Sequence, residues 1–165
     1  MSSFEAPPNH GVLFVASKQD AYVEEAFAAA ASIKRQAPQL HITLFTDRTC
    51  NALLRAGLFD RVEAFASSTD LGSPRPEAQL DRLACLLRSP YERTLYLDTD
   101  TRAVTPLVAQ VFSALDDADI AMVEDVPEFS FTRSRTGRRM FNAGVILYRR
   151  NENRSEEHTS ELQSH

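Results

Sequence analysis

Cysteine, tryptophan and glycine are scarce in this 165-residue chain, which has two cysteines, no tryptophan and five glycines. Cys50 and Cys85 form neither a close pair nor a metal-ligand spacing, which argues against a disulfide framework or a zinc site. We expect two reduced thiols in a cytoplasmic protein. No two glycines are close enough for the glycine-rich loops that cradle phosphates. Any phosphate binding must therefore use side chains or a metal ion.

Long hydrophobic runs and an excess of positive charge are also missing. Residues 1–9 lack the basic and apolar segments of a signal peptide, and no apolar run is long enough to cross a bilayer, so we expect no membrane span. The formal net charge is −5, which argues against a broad surface for nucleic acid or anionic membrane. A phosphorylated substrate remains compatible, because one metal ion or a few arginines neutralise a diphosphate.

Apolar segments with two different periods alternate along the chain. Short continuous apolar runs predict strands, and segments with an apolar residue every three or four positions predict helices. Alternation of this kind is typical of an α/β three-layer sandwich with a mostly parallel sheet, whose ligand site lies at the carboxyl ends of the strands. The predicted strands are 11–17, 41–46, 61–65, 94–97, 120–123 and 143–148. The predicted helices begin at residues 20, 47, 76 and 105.

Particular residues predict where these helices begin and which face is apolar. Asp20 is a candidate N-cap of the first helix. The clearest helix, residues 76–89, carries an apolar stripe at the i, i+3, i+4, i+7 spacing, and a proline follows its end. The residues of this stripe are Leu80, Leu83, Ala84 and Leu87.

Asp98 and Asp100 follow the apolar strand 94–97 and are two residues apart. In an extended segment, residues at this spacing point to the same side. Two carboxylates at the carboxyl end of a strand form a hard-oxygen site suited to Mg²⁺ or Mn²⁺. The spacing alone is also compatible with a turn or a helix cap.

Residues 89–101 (SPYERTLYLDTDT) and 141–145 (FNAGV) together resemble the GT-A glycosyltransferases, most closely their family-8-like nucleotide-diphospho-sugar transferases. The resemblance covers most of residues 11–150. It implies a GT-A (Rossmann-like) fold that is truncated at its C-terminus. It also implies metal-dependent transfer of a sugar from a nucleotide diphosphate-sugar donor, usually a UDP-sugar, to an acceptor.

The resemblance assigns the metal motif to Asp98 and Asp100, which are expected to bind Mn²⁺ or Mg²⁺ and, through it, the diphosphate of the donor. The family completes its metal site with a histidine well downstream of the Phe-Asn-x-Gly-Val segment. Here His158 lies in a segment that we do not assign to the natural protein. We therefore expect the third ligand to be missing and catalysis to belong to a full-length parent.

The resemblance also implies contacts to the rest of the donor. Ala16 and Ser17 are expected to supply backbone contacts to the nucleoside, and Tyr22 to lie against the base. Arg82 corresponds to a basic residue on the helix before the metal-motif strand. Asn142 is expected to line the donor-sugar or acceptor side of the cleft. From the residues alone, Tyr22 is equally compatible with a packing or surface aromatic, and Asn142 with a turn residue.

Two further features have both a structural and a substrate-binding interpretation. Asp47, after the second strand, either caps a short helix closed by Gly57 or contacts the nucleotide. The stretch 126–140 contains four arginines that either bind a phosphate or belong to a solvated loop.

Residues 154–165 (RSEEHTSELQSH) follow the last strand abruptly and have no apolar period. The segment resembles the read-through translation of a common sequencing adapter, and such a segment should be excluded from fold reasoning. We therefore predict a partial GT-A domain in residues 1–153 and an artefactual or disordered tail in residues 154–165.

Three functional interpretations follow. The first is a glycosyltransferase. The second is a haloacid-dehalogenase-like phosphatase, whose Asp-x-Asp motif would use Asp98 as a nucleophile, although Arg102 then occupies a position that is normally Thr or Val. The third is a non-catalytic nucleotide-binding fragment, because a truncated α/β domain exposes a sheet edge.

Overall fold

The computed structural model describes residues 8–49, 57–66, 76–124 and 141–150, without the side chains of residues 76–79. The predictions for Cys50, for the arginines of 126–140 and for the tail lie outside these ranges, as does most of the helix predicted from residue 47. The strands are β1 (His10–Ala16), β2 (His41–Thr46), β3 (Arg61–Ala64), β4 (Arg93–Leu97), β5 (Ile120–Glu124) and β6 (Phe141–Arg149). The helices are α1 (Asp20–Gln36), α2 (Pro76–Leu87) and two 3₁₀ helices, Pro106–Ala109 and Val111–Leu115.

The six strands form one sheet in the order β3-β2-β1-β4-β6-β5. The first four strands in this order run parallel to one another, whereas β6 runs antiparallel to both β4 and β5. The predicted α/β fold with a mostly parallel sheet is confirmed. The last strand reverses direction, so it brings the Phe-Asn-Ala-Gly-Val segment beside the end of β4.

Helices cover both faces of the sheet. Successive residues along β1 point to opposite faces, so they pack against different helices. Val12 and Phe14 pack in the core cluster that includes the buried face of α1. Leu13 packs in a second cluster with Cys85 and Leu86 of α2. The arrangement is the predicted three-layer sandwich, with the central strands buried on both sides.

The start of α1 differs from the prediction. The N-cap residue is Gln19, which makes no side-chain capping hydrogen bond. Asp20 is the first helical residue, and its carboxylate pairs with the Arg48 guanidinium at 2.7 Å. The tertiary ion pair therefore replaces the predicted local cap. Neither α1 nor any other helix in the described ranges is long and apolar enough to cross a membrane.

The predicted helix from residue 76 is present, but the predicted apolar stripe does not face the core. Leu80, Leu83 and Leu87 are 61%, 53% and 84% exposed. Cys85 and Leu86 are buried instead, and the Tyr148 hydroxyl of β6 donates to the Leu86 carbonyl at 2.6 Å. Periodicity identifies an apolar face, whereas contacts with the sheet decide which face is covered.

The helix predicted from residue 105 is two consecutive 3₁₀ helices. Their hydrogen bonds join residues three apart, as between the Gln110 N–H and the Leu107 carbonyl at 2.8 Å. Phe112 and Leu115 are both buried. A three-residue period places them on one face, which explains why the tighter helix is compatible with the core.

Candidate functional site

A cleft of about 530 Å³ opens where the two central parallel strands, β1 and β4, end. The segment after β1 contributes Ser17 and Lys18, and the segment after β4 contributes Asp98, Thr99 and Asp100. Side chains from α1 and α2 complete the walls. This position is the carboxyl edge of the parallel strands, where α/β sheets bind ligands.

Asp98 and Asp100 both line the cleft. The segment that carries them is not extended, in contrast to the prediction. β4 ends at Leu97. The chain then turns, because the Thr101 N–H donates to the Asp98 carbonyl at 3.1 Å and the Thr101 hydroxyl donates to the same oxygen at 2.7 Å. The expectation of an extended segment is therefore wrong, and a turn places the two carboxylates on the same cleft.

The Asp98 carboxylate is held by two side chains. The Tyr96 hydroxyl donates to Asp98 Oδ1 at 2.5 Å, and an Arg82 guanidinium nitrogen lies 3.6 Å from the same oxygen. Burial, and after it the charge of Asp98, raises the pKa of Tyr96, so its hydroxyl stays protonated as a donor. Arg82 also lies over the Tyr96 ring, 5.6 Å from its centroid. These contacts orient one oxygen of Asp98.

Gly144 of β6 lies against the other oxygen of Asp98. A Cβ at this position would be 2.5 Å from Asp98 Oδ2 and 3.0 Å from Asn142 Oδ1. The Asp98 N–H donates to the Gly144 carbonyl at 2.8 Å, which joins the two motifs through the backbone. We assigned Gly144 no role from the sequence. A glycine inside a strand is nevertheless a signal of close approach.

Four of the predicted donor-binding residues share the cleft with Asp100, namely Ser17, Tyr22, Arg82 and Asp98. Tyr22 is 41% exposed, so its ring is accessible to a ligand. Ala16 is fully buried. Asn142 is exposed, and its side-chain oxygen accepts the Gly144 N–H at 2.7 Å. Neither Ala16 nor Asn142 is part of the described cleft wall.

Lys18 and Glu25 also line the cleft and were not singled out from the sequence. Glu25 Oε2 of α1 accepts a hydrogen bond from the Thr99 hydroxyl at 2.8 Å. This contact ties the turn that carries Asp98 and Asp100 to the helix on the neighbouring wall. The residues are 74 positions apart, so no local pattern indicates their contact.

The donor set of the cleft fits a divalent metal ion. Mg²⁺ is commonly bound by one or two carboxylates together with substrate phosphates, and Mn²⁺ prefers similar oxygen ligands. Asp98 and Asp100 provide such carboxylates. Within the described ranges, no group of three or more His, Cys, Asp or Glu side chains converges to hold a metal ion. A bound ion would therefore need further ligands besides this pair.

Neither a protein-family model nor a curated protein sequence matches the chain. Its structure is similar to that of the galactosyltransferase LgtC in complex with donor and acceptor sugar analogs, with 19% sequence identity and a TM-score of 0.62 over 84% of this chain and 57% of LgtC. Glycosyltransferase GlyE of Streptococcus pneumoniae TIGR4 is 19% identical, with a TM-score of 0.59 over 92% of this chain and 36% of GlyE.

A lower similarity extends to the 4-diphosphocytidyl-2C-methyl-D-erythritol synthase of Anaerococcus prevotii DSM 20548, at 12% identity and a TM-score of 0.50, over 86% of this chain and 72% of the synthase. At these identities the similarities show the fold. The chain spans 57% of the length of LgtC and 36% of that of GlyE. The chain therefore has the fold of the GT-A nucleotide-sugar transferases, as the resemblance of its two motifs implies.

Proposed function

We propose that the protein to which this chain belongs transfers a sugar from a nucleotide diphosphate-sugar, with UDP as the expected nucleotide, to an acceptor in a reaction that requires Mn²⁺ or Mg²⁺. The observation that carries the proposal is the pair Asp98 and Asp100 on one cleft at the carboxyl ends of β1 and β4. The GT-A fold supports the same chemistry. Fold alone does not decide a reaction, so the proposal depends on this site.

The described residues suggest a division of roles along the donor. Asp98 and Asp100 would hold the divalent ion, which when bound stabilises the charge that the nucleoside diphosphate gains as the sugar leaves. Tyr96 and Arg82 orient Asp98 through the contacts at 2.5 and 3.6 Å. Tyr22 offers an accessible ring on which the base can stack.

We assign nucleotide binding to this chain and catalysis to a longer protein. The solved glycosyltransferases extend well beyond the aligned region, since this chain spans 57% of LgtC and 36% of GlyE. From the family resemblance, we expect the third metal ligand to lie downstream of Gly144. A longer chain would supply that ligand and the acceptor side of the cleft.

Isothermal titration calorimetry of the full chain with UDP, with and without Mn²⁺, tests the proposal. We expect binding that depends on Mn²⁺ and that weakens at least about tenfold in Asp98→Asn and in Asp100→Asn, because each substitution removes a charged ligand of the ion. Asp117→Asn is the matched control, since Asp117 is an exposed carboxylate outside the cleft.

Circular dichroism would establish that each variant is folded before titration. UDP binding that is equally strong without Mn²⁺, or that survives both cleft substitutions unchanged, would contradict the metal-dependent site. Equal losses in Asp117→Asn would show that the effect depends on net charge and does not arise from the cleft.

A further inference from the structure

The segment that joins β1 to α1 contains a γ-turn centred on Lys18. The Gln19 N–H donates to the Ser17 carbonyl at 2.9 Å, two residues back, and Lys18 has a φ of 72°. A γ-turn with a positive central φ is rare and strained. Glycine adopts this backbone conformation without a steric penalty, whereas a residue with a Cβ incurs one. A lysine here costs stability that a glycine would not.

The end of the neighbouring strand holds the γ-turn in place. The Lys18 N–H donates to both carboxylate oxygens of Asp47, each at 3.1 Å. Asp47 follows β2 and is half-buried. The adjacent Arg48 forms a 2.7 Å ion pair with Asp20, at the other end of the same connection. Strained residues persist where surrounding contacts determine their conformation, and they cluster at ligand sites.

Lys18 is one of the residues that line the cleft, together with Glu25, Asp98 and Asp100. Arg82, the other cation of the cleft, already lies against Asp98. In the part of the chain that the structure describes, no carboxylate forms an ion pair with the Lys18 ammonium. The Lys18 charge is therefore available to an anionic ligand in the cleft.

Lysine is rare in this protein, which makes its position informative. The chain contains 18 basic residues, and only Lys18 and Lys34 among them are lysines. Lys34 has a structural role, because its ammonium contacts the Leu40 carbonyl and Asp60, both at 2.8 Å. Lysine binds phosphate as a compact point charge with three rotatable donors.

We propose that Lys18 is a phosphate-binding residue of the cleft, and that Asp47 is a positioning residue that holds the strained turn from which Lys18 reaches the nucleoside diphosphate. This inference rests on the proposed function, since it identifies a further contact to the same donor. The strain is retained because a glycine, although easier to accommodate, would remove the ammonium.

Acetylation of the full chain by an N-hydroxysuccinimide ester, followed by mass spectrometry, tests the contact directly. We expect UDP with Mn²⁺ to slow acetylation of Lys18 at least about fivefold, in line with occupancy by a ligand whose charge-assisted contact shields the amine. Lys34 is the internal control and should react at the same rate with and without the ligand. Protection of neither lysine under conditions in which calorimetry shows UDP bound would overturn the role of Lys18.

A variant series separates the contact from the strain. Lys18→Ala and Lys18→Gly should both weaken UDP binding about tenfold, since a charge-assisted hydrogen bond is lost, while Lys18→Arg should retain most of it. Lys18→Gly should have a Tm about 2–4 °C above that of Lys18→Ala, because only glycine relieves the positive φ. A Tm for Lys18→Ala equal to or above that of Lys18→Gly would refute the strain, and wild-type UDP affinity in both would refute the contact.

A double-mutant cycle tests Asp47. Asp47→Ala should weaken UDP binding in the wild-type background and have little further effect in the Lys18→Ala background, because it acts through Lys18. Equal losses in both backgrounds would show that Asp47 does not position Lys18. If the wild-type chain fails to bind UDP at all, the proposed function itself fails, whereas normal UDP binding by the Lys18 variants overturns only the present inference.

Discussion

Asp98 is oriented by neighbours whose sequence signals differ in strength. Tyr96 lies two residues earlier, in β4, and Arg82 was indicated by family resemblance. Gly144 lies 46 positions later and contacts Asp98 only because β6 pairs with β4. The Asp-x-Asp motif therefore identifies the carboxylates, while the geometry of Asp98 depends on a residue that the motif does not contain.

Gly144→Ala should weaken Mn²⁺-dependent UDP binding at least about tenfold, comparable to the loss of a supporting contact at a metal site. The added methyl would be 2.5 Å from Asp98 Oδ2, so the carboxylate must move. We also expect a destabilisation of about 1–3 kcal/mol from overpacking. Calorimetry and thermal unfolding measure the two effects. Ala143→Ser, at the exposed neighbouring position, is the control, and unchanged affinity in Gly144→Ala would contradict the proposed constraint.

Among the secondary-structure elements, α2 was predicted correctly as a helix, but the face predicted to be buried was wrong. The stripe that predicted the helix is largely exposed, while Leu86 is 9% exposed and Cys85 is 1% exposed. Burial of Cys85 raises the pKa of its thiol to about 11, so the thiol is protonated near neutral pH. The helical period depends on spacing along the chain, but the covered face depends on how α2 meets β1 and β6.

Leu86→Ala should destabilise the chain by about 2–5 kcal/mol, as expected for truncation of a buried leucine. Leu83→Ala, on the exposed stripe of the same helix, should change the free energy of unfolding by no more than about 0.5 kcal/mol. Both variants keep good helix formers, so differences in helix propensity are small. Urea denaturation of the full-length variants measures the contrast, and a larger loss in Leu83→Ala would show that the opposite face is buried.

In the domain as a unit, polar clusters occupy opposite ends of the parallel strands. The cleft lies at the carboxyl end. At the amino end, the Tyr91 hydroxyl lies 2.6 Å from His41 Nδ1 and 2.7 Å from Thr43 Oγ1. The Tyr91 ring packs over Gly11, where there is no room for a Cβ. This second cluster joins β1, β2 and the segment before β4 at the end of the parallel strands opposite the cleft.

The His41 cluster predicts a pH dependence of stability. Burial lowers the pKa of His41 from its ordinary value of 6.5, an effect that Asp60 partly opposes. The unfolded chain then binds more protons just below pH 6.5, so the free energy of unfolding should fall as the pH decreases through this range. His41→Gln should flatten that part of the profile. Urea denaturation between about pH 5 and 8 measures it, and an identical pH dependence in the variant would contradict the assignment.

Short-range information in the sequence predicted most of the elements. The six strands and both α-helices lie within a few residues of their predicted positions, because apolar spacing, prolines and strand composition act over neighbouring residues. The same information indicated the carboxylates at the end of β4 and the edge of the sheet at which they lie. The helix predicted from residue 105 is present as two 3₁₀ helices, and the sequence prediction did not distinguish this type from an α-helix.

Contacts between distant segments decided the rest. Such contacts set the antiparallel direction of β6 and the covered face of α2. They also bring Gly144 close to Asp98 and allow Asp47 to accept the hydrogen bonds of the strained Lys18 turn. Local patterns carry little information about such contacts, because they form only when elements pack together. The sequence by itself thus identified most residues of the candidate site from local patterns and motif resemblance, whereas packing between elements sets their orientation.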